Sequence, residues 1–435
     1  MIAIVVGLGA FLFAFAAGMS SVALPTLALE LGVSPSTAGW VPGGYLATVT
    51  ALLFVSGRIA DRIGRKQVYL AGAALFGLGA LGAAVAPTFA QLIAARVLQG
   101  VGAAGAMATG PAILVDAVPL ERRGRALGTS ATLTYLGLAA GPSAGGVVTA
   151  SLGFRAVFWV ALAAAALLVA LASATLPRGR RGAPSPLLPA LLGGVASAAA
   201  LACVQRVAVR HAIDVVVVVA AMIAIGSAAF LGSPSRVVPK TLLGERAFRS
   251  GIVAASAHYG ATFAIGFATP FLLERALGAT PTEAGLFMTV QPIAMMLASP
   301  LAGVLADRVT PLRVARGGLG LLAAGALALA LFGASRAGFV ASAALFGAGA
   351  GFFTTPNNAI VLGAAGPETR ASASAAMAWA RTFGMTAGVA SAAIVFATGS
   401  DATQAFRASA LVALAFAAVG LLASRGAGEP LRAAR

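Results

Sequence analysis

Charge is scarce in this chain: Asp, Glu, Lys and Arg make up 9% of its 435 residues. What charge there is leans one way, with 29 Lys and Arg against 12 Asp and Glu, a net +17. A single cysteine, Cys203, excludes an intramolecular disulfide, and two histidines beside it cannot build a Cys/His metal site. No run of the G-x-x-x-x-G-K-S/T type occurs, so the phosphate-cradling loop of nucleotide hydrolases is missing. All the acids fall in loops or at the ends of apolar runs, none near a bilayer midplane. An enzyme working inside a membrane would need paired carboxylates, a nucleophile with its base or a metal cluster at depth. The expectation is therefore no catalytic residue, no metal and no cofactor. A cationic leader is missing too, since no Lys or Arg precedes Arg58. Ala14-Phe15-Ala16 looks like a cleavage site, but without that leader the chain is expected to keep its first segment.

Apolar residues, by contrast, are abundant: 60% of the chain, with a mean hydropathy of +0.96. Soluble domains hold roughly 45–50%, so the chain reads as an all-α, multi-pass membrane protein. A spanning helix needs about 20 mostly apolar residues, and fourteen runs qualify: 2–25, 38–56, 68–86, 90–115, 129–150, 155–176, 187–205, 212–232, 251–273, 283–305, 314–333, 338–362, 372–398 and 405–424. Most of the cations fall on one side if both termini are cytoplasmic, as the positive-inside rule requires. The charge then reports topology in the plasma membrane and contact with anionic lipid heads, and no nucleic-acid partner is needed to explain it.

The chain also repeats itself. Gly57, Ala60, Asp61 and Arg62 return as Gly303, Ala306, Asp307 and Arg308. At almost the same offset Gly100 and Gly102 return as Gly347 and Gly349, and Gly137 and Gly141 as Gly384 and Gly388. The expected organisation is a six-helix bundle over 1–177, a two-helix insert and linker over 178–250, a second bundle over 251–425 and a tail over 426–435. Parallel repeats of this kind with a central site are a transporter design.

Four motifs carry chemistry. Gly57-Arg58-Ile59-Ala60-Asp61-Arg62-Ile63-Gly64-Arg65-Lys66 packs five charges between two apolar runs and reads as a short aqueous loop, with Asp61 following the helix end. Arg96-Val97-Leu98-Gln99-Gly100-Val101-Gly102 opens a glycine run within a spanning segment. Gly137 with Gly141-Pro142-Ser143-Ala144-Gly145-Gly146 strips side chains and one backbone donor from another. Val22-Ala23-Leu24-Pro25 followed by Trp40, Val41 and Tyr45 marks the first hairpin. Gly100-x-Gly102-x-x-Gly105 matches the dinucleotide fingerprint, but that needs a strand before it in a soluble βαβ unit, so helix packing is the reading here.

Together these motifs resemble the major facilitator superfamily and, within it, the 14-helix drug:proton antiporters, over essentially the whole chain. The resemblance implies two six-helix bundles related by a pseudo-twofold axis, plus two linker helices. It implies that Gly57, Asp61, Arg62, Gly64, Arg65 and Lys66 form a gating loop, echoed by Gly303, Asp307 and Arg308. It makes Gly137, Gly141, Pro142, Gly145 and Gly146 an export-linked bend, and gives Arg96 a part in proton-coupled exchange. The helix-1 aspartate typical of this branch is replaced by the surroundings of Ala16 and Gly18.

The residues themselves add candidates at depth. An arginine near the middle of a span costs roughly 2.5–3.5 kcal/mol, so Arg96 and Arg381 must face a cavity or a polar partner, Gln99 being one turn from Arg96. His258 is the sole histidine in an apolar run and could titrate near neutral pH. Tyr45, Tyr135, Tyr259, Gln291, Asn357 and Asn358 are candidates for the substrate cavity, with packing and helix-to-helix bonds as the alternative for each. With cations but no acids at depth, the cavity is expected to favour neutral or anionic amphiphiles. The function expected is secondary active, proton-coupled efflux of drugs or small metabolites by a monomer, through alternating access. The alternatives are a proton-linked importer or facilitator of a small metabolite, and a non-transporting membrane receptor.

Overall fold

The computed structural model describes residues 1–119, 122–177, 199, 238–366, 368–398 and 401–426. Apart from residue 199, positions 178–237, which hold Cys203 and the expected spans at 187–205 and 212–232, lie outside the described residues. Among the described residues the regular structure is entirely helical. The chain runs through α1 (Ile2–Val22), α2 (Leu24–Glu30), α3 (Pro35–Ala38), α4 (Trp40–Ile63), α5 (Arg65–Val85), α6 (Phe89–Ala117), α7 (Arg123–Leu152) and α8 (Phe154–Thr175). It continues with a short α9 (Lys240–Gly244) and α10 (Arg246–Phe271), which runs into a π-helical turn at Leu272–Ala276. Then follow α11 (Pro281–Arg308), α12 (Pro311–Phe332), α13 (Arg336–Gly363), α14 (Arg370–Thr398) and α15 (Ala402–Arg425).

Eleven stretches among the described residues are long and apolar enough to cross a membrane. The helix α7 is as long but rich in Gly, Ser and Thr, and it falls outside that set on composition. Helix starts follow ordinary capping chemistry. Ser34, Thr88, Thr310, Ser335 and Asp401 each accept a hydrogen bond from a backbone N–H three residues on, at α3, α6, α12, α13 and α15. Thr88 and Ser335 open the helices that carry the two copies of the glycine pair.

The described residues fall into two compact units, one within Met1–Ala198 plus Gly278–Thr289, the other within Ala199–Leu277 plus Val290–Arg435. In the first, α1 packs chiefly on α7, α5 on α6 and on α8, and α4 on α6. In the second, α10 packs on α14 and α12 on α13 and on α15, repeating three of those four partnerships in order.

The repeated glycines explain why. A Cβ on Gly137 would stand 2.5 Å from the Phe11 carbonyl oxygen of α1, and one on Gly384 would strike the Ser256 carbonyl of α10. A Cβ on Gly100 would stand 2.8 Å from the Tyr45 carbonyl oxygen, and one on Gly347 would strike the Gln291 carbonyl in the same way. Gly102 and Gly349 abut backbone of α5 and α12. Each glycine removes the side chain that would hold two spanning backbones apart, and van der Waals contact between them is the main attraction available in lipid. The Gly100–Gly105 run is thus a packing surface of α6, buried against α4 and α5.

Candidate functional site

The charged stretch at 57–66 is less of a loop than its composition suggests. The helix α4 continues to Ile63, α5 begins at Arg65, and Gly64 alone joins them. Its φ of +110° is a conformation side chains avoid. Asp61 therefore lies in the last turn of α4, not beyond it. There it is half-buried and interacts electrostatically with Arg58, one turn back on the same helix. No atom of its own unit comes within 4 Å of where a Cβ on Gly57 would stand.

The loop cations have their own partners. Arg65 forms an ion pair with Asp116 at the end of α6 and donates to the Ala112 carbonyl at 3.2 Å. Lys66 Nζ donates to the carbonyls of Ser173 at 2.8 Å and Leu176 at 2.6 Å, closing the C-terminal end of α8. In the second copy Asp307 is exposed, and the join at Val309-Thr310 contains no left-handed glycine. Arg316 Nη2 donates to the Ser424 carbonyl at 2.7 Å and so closes the end of α15, the task Lys66 performs on α8. Asp116 was not anticipated as a partner. An acid at a helix C-terminus opposes the helix dipole, and that mismatch is the signal that a cation sits nearby.

Arg96 is 3% exposed on α6. Its Nε donates to the Val41 carbonyl at 3.0 Å and its Nη1 to Gln99 Oε1 at 2.7 Å. The guanidinium lies 4.6 Å from the Tyr45 ring centroid and 5.9 Å from that of Phe158. Gln99 was the expected neighbour. The cluster is internal to the packing of α4, α6 and α8.

On α7, Gly141 and Gly145 face α1. Their Cβ atoms would stand 2.7 Å from the Phe15 carbonyl oxygen and 2.5 Å from the Met19 Cα. Gly146 faces the backbone of Pro281, and Ser143 Oγ lies 2.6 Å from Thr289 Oγ1. Pro142 sits inside the helix, against Gly18. Close packing is therefore the visible consequence of this motif. Tyr135, two turns before Pro142, is half-buried.

In the second unit His258 is fully buried on α10. Its Nε2 lies 3.4 Å from Thr354 Oγ1, its ring packs on Tyr259 and Phe353, and its Nδ1 has no hydrogen-bond partner. One helical turn along α13, Asn357 Nδ2 donates to the Gly251 carbonyl at 3.1 Å. These bonds tie α10 to α13, the alternative weighed for such groups. Tyr259, Gln291 and Asn358 are half-buried. Arg381, near the middle of α14, is also half-buried and makes no hydrogen bond or ion pair with any described residue. Trp379 and Phe383, two residues before and after it in sequence, stack with ring centroids 5.0 Å apart. A further ion pair that sequence reading missed joins Arg155, at the start of α8, to Glu30 at 3.0 Å. No group of three or more His, Cys, Asp or Glu that could hold a metal occurs among the described residues.

Residues 6–189 and 255–433 match the model of the Major Facilitator Superfamily. Among curated proteins the chain is 25% identical to the riboflavin transporter RibZ of Clostridioides difficile, over 94% of this chain and 90% of that one. It is 30% identical to the methylenomycin A resistance protein of Streptomyces coelicolor, over 92% and 85%. It is 28% identical to the multidrug resistance protein Stp of Mycobacterium tuberculosis, over 92% and 76%. Among solved structures, a POT family transporter in complex with 5-aminolevulinic acid superposes with a TM-score of 0.72 at 15% identity, covering 97% of this chain and 95% of that one. A bacterial homologue of the lysosomal transporter Spinster gives 0.72 at 16%, covering 98% and 97%. At such identities these two likenesses establish the fold, while the family match and the curated relatives establish the class. The chain is a transporter of the Major Facilitator Superfamily.

Proposed function

We propose that this transporter exports neutral or anionic amphiphiles in exchange for protons, by alternating access of its two six-helix halves. Arg381 is the observation that carries the reading. A guanidinium half-exposed near the middle of a spanning helix, with no described partner, is placed to attract a negative or strongly polar group. No acid of the described residues stands at comparable depth to neutralise it or to bind a cation. The names of the methylenomycin and multidrug resistance relatives favour export. In this scheme the 57–66 segment is the principal cytoplasmic latch and 303–308 a weaker one. Both termini are cytoplasmic, and the chain works as a monomer.

Matched cationic and anionic dyes, assayed for efflux in a host without its own pumps, test this directly. Anion export should dominate, collapse with a protonophore, and fall about tenfold in Arg381→Ala, the scale of one lost charge-assisted contact of about 1.5 kcal/mol. Faster cation export, or unchanged anion export by the variant, would overturn it. A second reading, movement of a small metabolite, is favoured by the likeness to a riboflavin transporter. Its mark would be saturable transport of a single vitamin-like compound with no drug export.

A further inference from the structure

The acid at the end of α10 is unexplained by the function above. Pro270 lies in the last turn of α10 and has no N–H, so the Gly266 carbonyl four residues earlier lacks its usual helical donor. Immediately after it the helix widens. The N–H of Leu277 donates to the Leu272 carbonyl at 3.0 Å, a five-residue span, and Leu272–Ala276 form a π-turn. Such turns are costly and recur at functional sites. Phe271, Leu272 and Leu273 are fully buried, and Glu274 follows them with its Oε1 buried and without a hydrogen-bond partner. A carboxylate oxygen withdrawn from water needs a donor, and the helix offers none.

We propose that Glu274, on this π-turn, is the group that takes up the exchanged proton on the outer side of the membrane. The inference rests on the proton-exchange reading above, and it supplies the protonatable acid that the spans themselves lack. The proton adds to one carboxylate oxygen from outer water and leaves the same atom later, so no other reactant is required. The charged groups around the turn are few. Arg275 is adjacent, with its guanidinium 5.4 Å from the Phe271 centroid and its charge acting on the carboxylate. The start of α15, which packs against the turn, brings Asp401, engaged in capping Gln404 at 2.9 Å, and the exposed Arg407. The helix α14 touches the same region through Phe396, 5.2 Å from Phe271, and its charges, Arg370 and Arg381, are four or more turns away.

The test uses the full chain reconstituted in lipid vesicles. Infrared difference spectra between acidic and alkaline outer solution should show, beyond the signal of the exposed acids, a protonated-carboxyl band of a buried acid in the wild type that is lost in Glu274→Gln. Glu274→Asp should retain it at a shifted frequency. Because no substrate is present, this readout survives a failure of the transport reading. In dye-export assays Glu274→Gln should lose the dependence on outer pH while still inserting into the membrane. A wild type with no such band, a band that persists in Glu274→Gln, or an unchanged pH profile would each overturn the assignment.

Discussion

At the scale of single residues, the two arginines expected at depth take opposite positions. Arg96 has bonds to Val41 and Gln99, with the Tyr45 and Phe158 rings near its guanidinium. Its burial is compensated, so it acts first as a strut between α4, α6 and α8. Removing it would strand a carbonyl and a glutamine and leave a cavity, at a cost of about 2–5 kcal/mol. Arg96→Ala should therefore lower the unfolding temperature of the purified protein by several degrees, with Arg96→Lys intermediate, as thermal unfolding in detergent would show. Equal melting of all three would mean that the cluster is not supporting the fold. Arg381 lacks comparable partners, and Arg381→Ala should leave stability nearly unchanged while affecting transport. The sequence made these arginines equally conspicuous. It could not tell them apart, because the partners of Arg96 include a backbone carbonyl and a ring from helices far off in the chain.

Elements are organised by glycines rather than by large apolar knobs. At Gly141 and Gly145 a β-branched side chain would have to move α1 bodily, because the atoms in the way are backbone. Gly145→Val should abolish accumulation of folded protein, whereas Gly57→Ala, which has open space within its own unit, should accumulate normally; fluorescence-detected gel filtration separates the two. The α4–α5 join is equally specific. Gly64→Val forces a β-branched residue to φ +110° and brings its Cβ onto Gln67, a strain of about 1–2 kcal/mol. The two copies of this join are unequal, since Asp61 is half-buried beside Arg58 and Asp307 is exposed. Asp61→Asn should cripple dye export with normal insertion and Asp307→Asn should do less. Equal losses would show that the first join is not the dominant gate. The ion pair between Arg65 and Asp116 is itself partly exposed, 29% and 48% by side chain. Such a pair contributes about 0–1 kcal/mol, so its value is in placing α5 against α6.

For the whole molecule, the sidedness of the cations makes a prediction independent of transport. A cysteine placed just after Arg425, in a Cys203→Ser background, should react with an impermeant maleimide only after cells are permeabilised. Labelling of intact cells would reverse the assigned topology. Three helix partnerships recur in the two units: α1 on α7 and α10 on α14, α5 on α6 and α12 on α13, α5 on α8 and α12 on α15.

Composition and spacing by themselves determined the membrane environment and the helical class, because each follows from local rules: the length needed to cross lipid and the cost of a charge inside it; the family was legible only through the resemblance of the motifs at 57–66, 96–102 and 137–146. The tertiary structure decided which polar groups are structural and which are left available. It buried Arg96, His258 and Asn357 against neighbours, left Arg381 half-exposed, and turned Glu274 inward on a π-turn. Those outcomes depend on which backbone atoms of distant helices come within hydrogen-bonding range, a property of packed helices that no stretch of sequence carries alone.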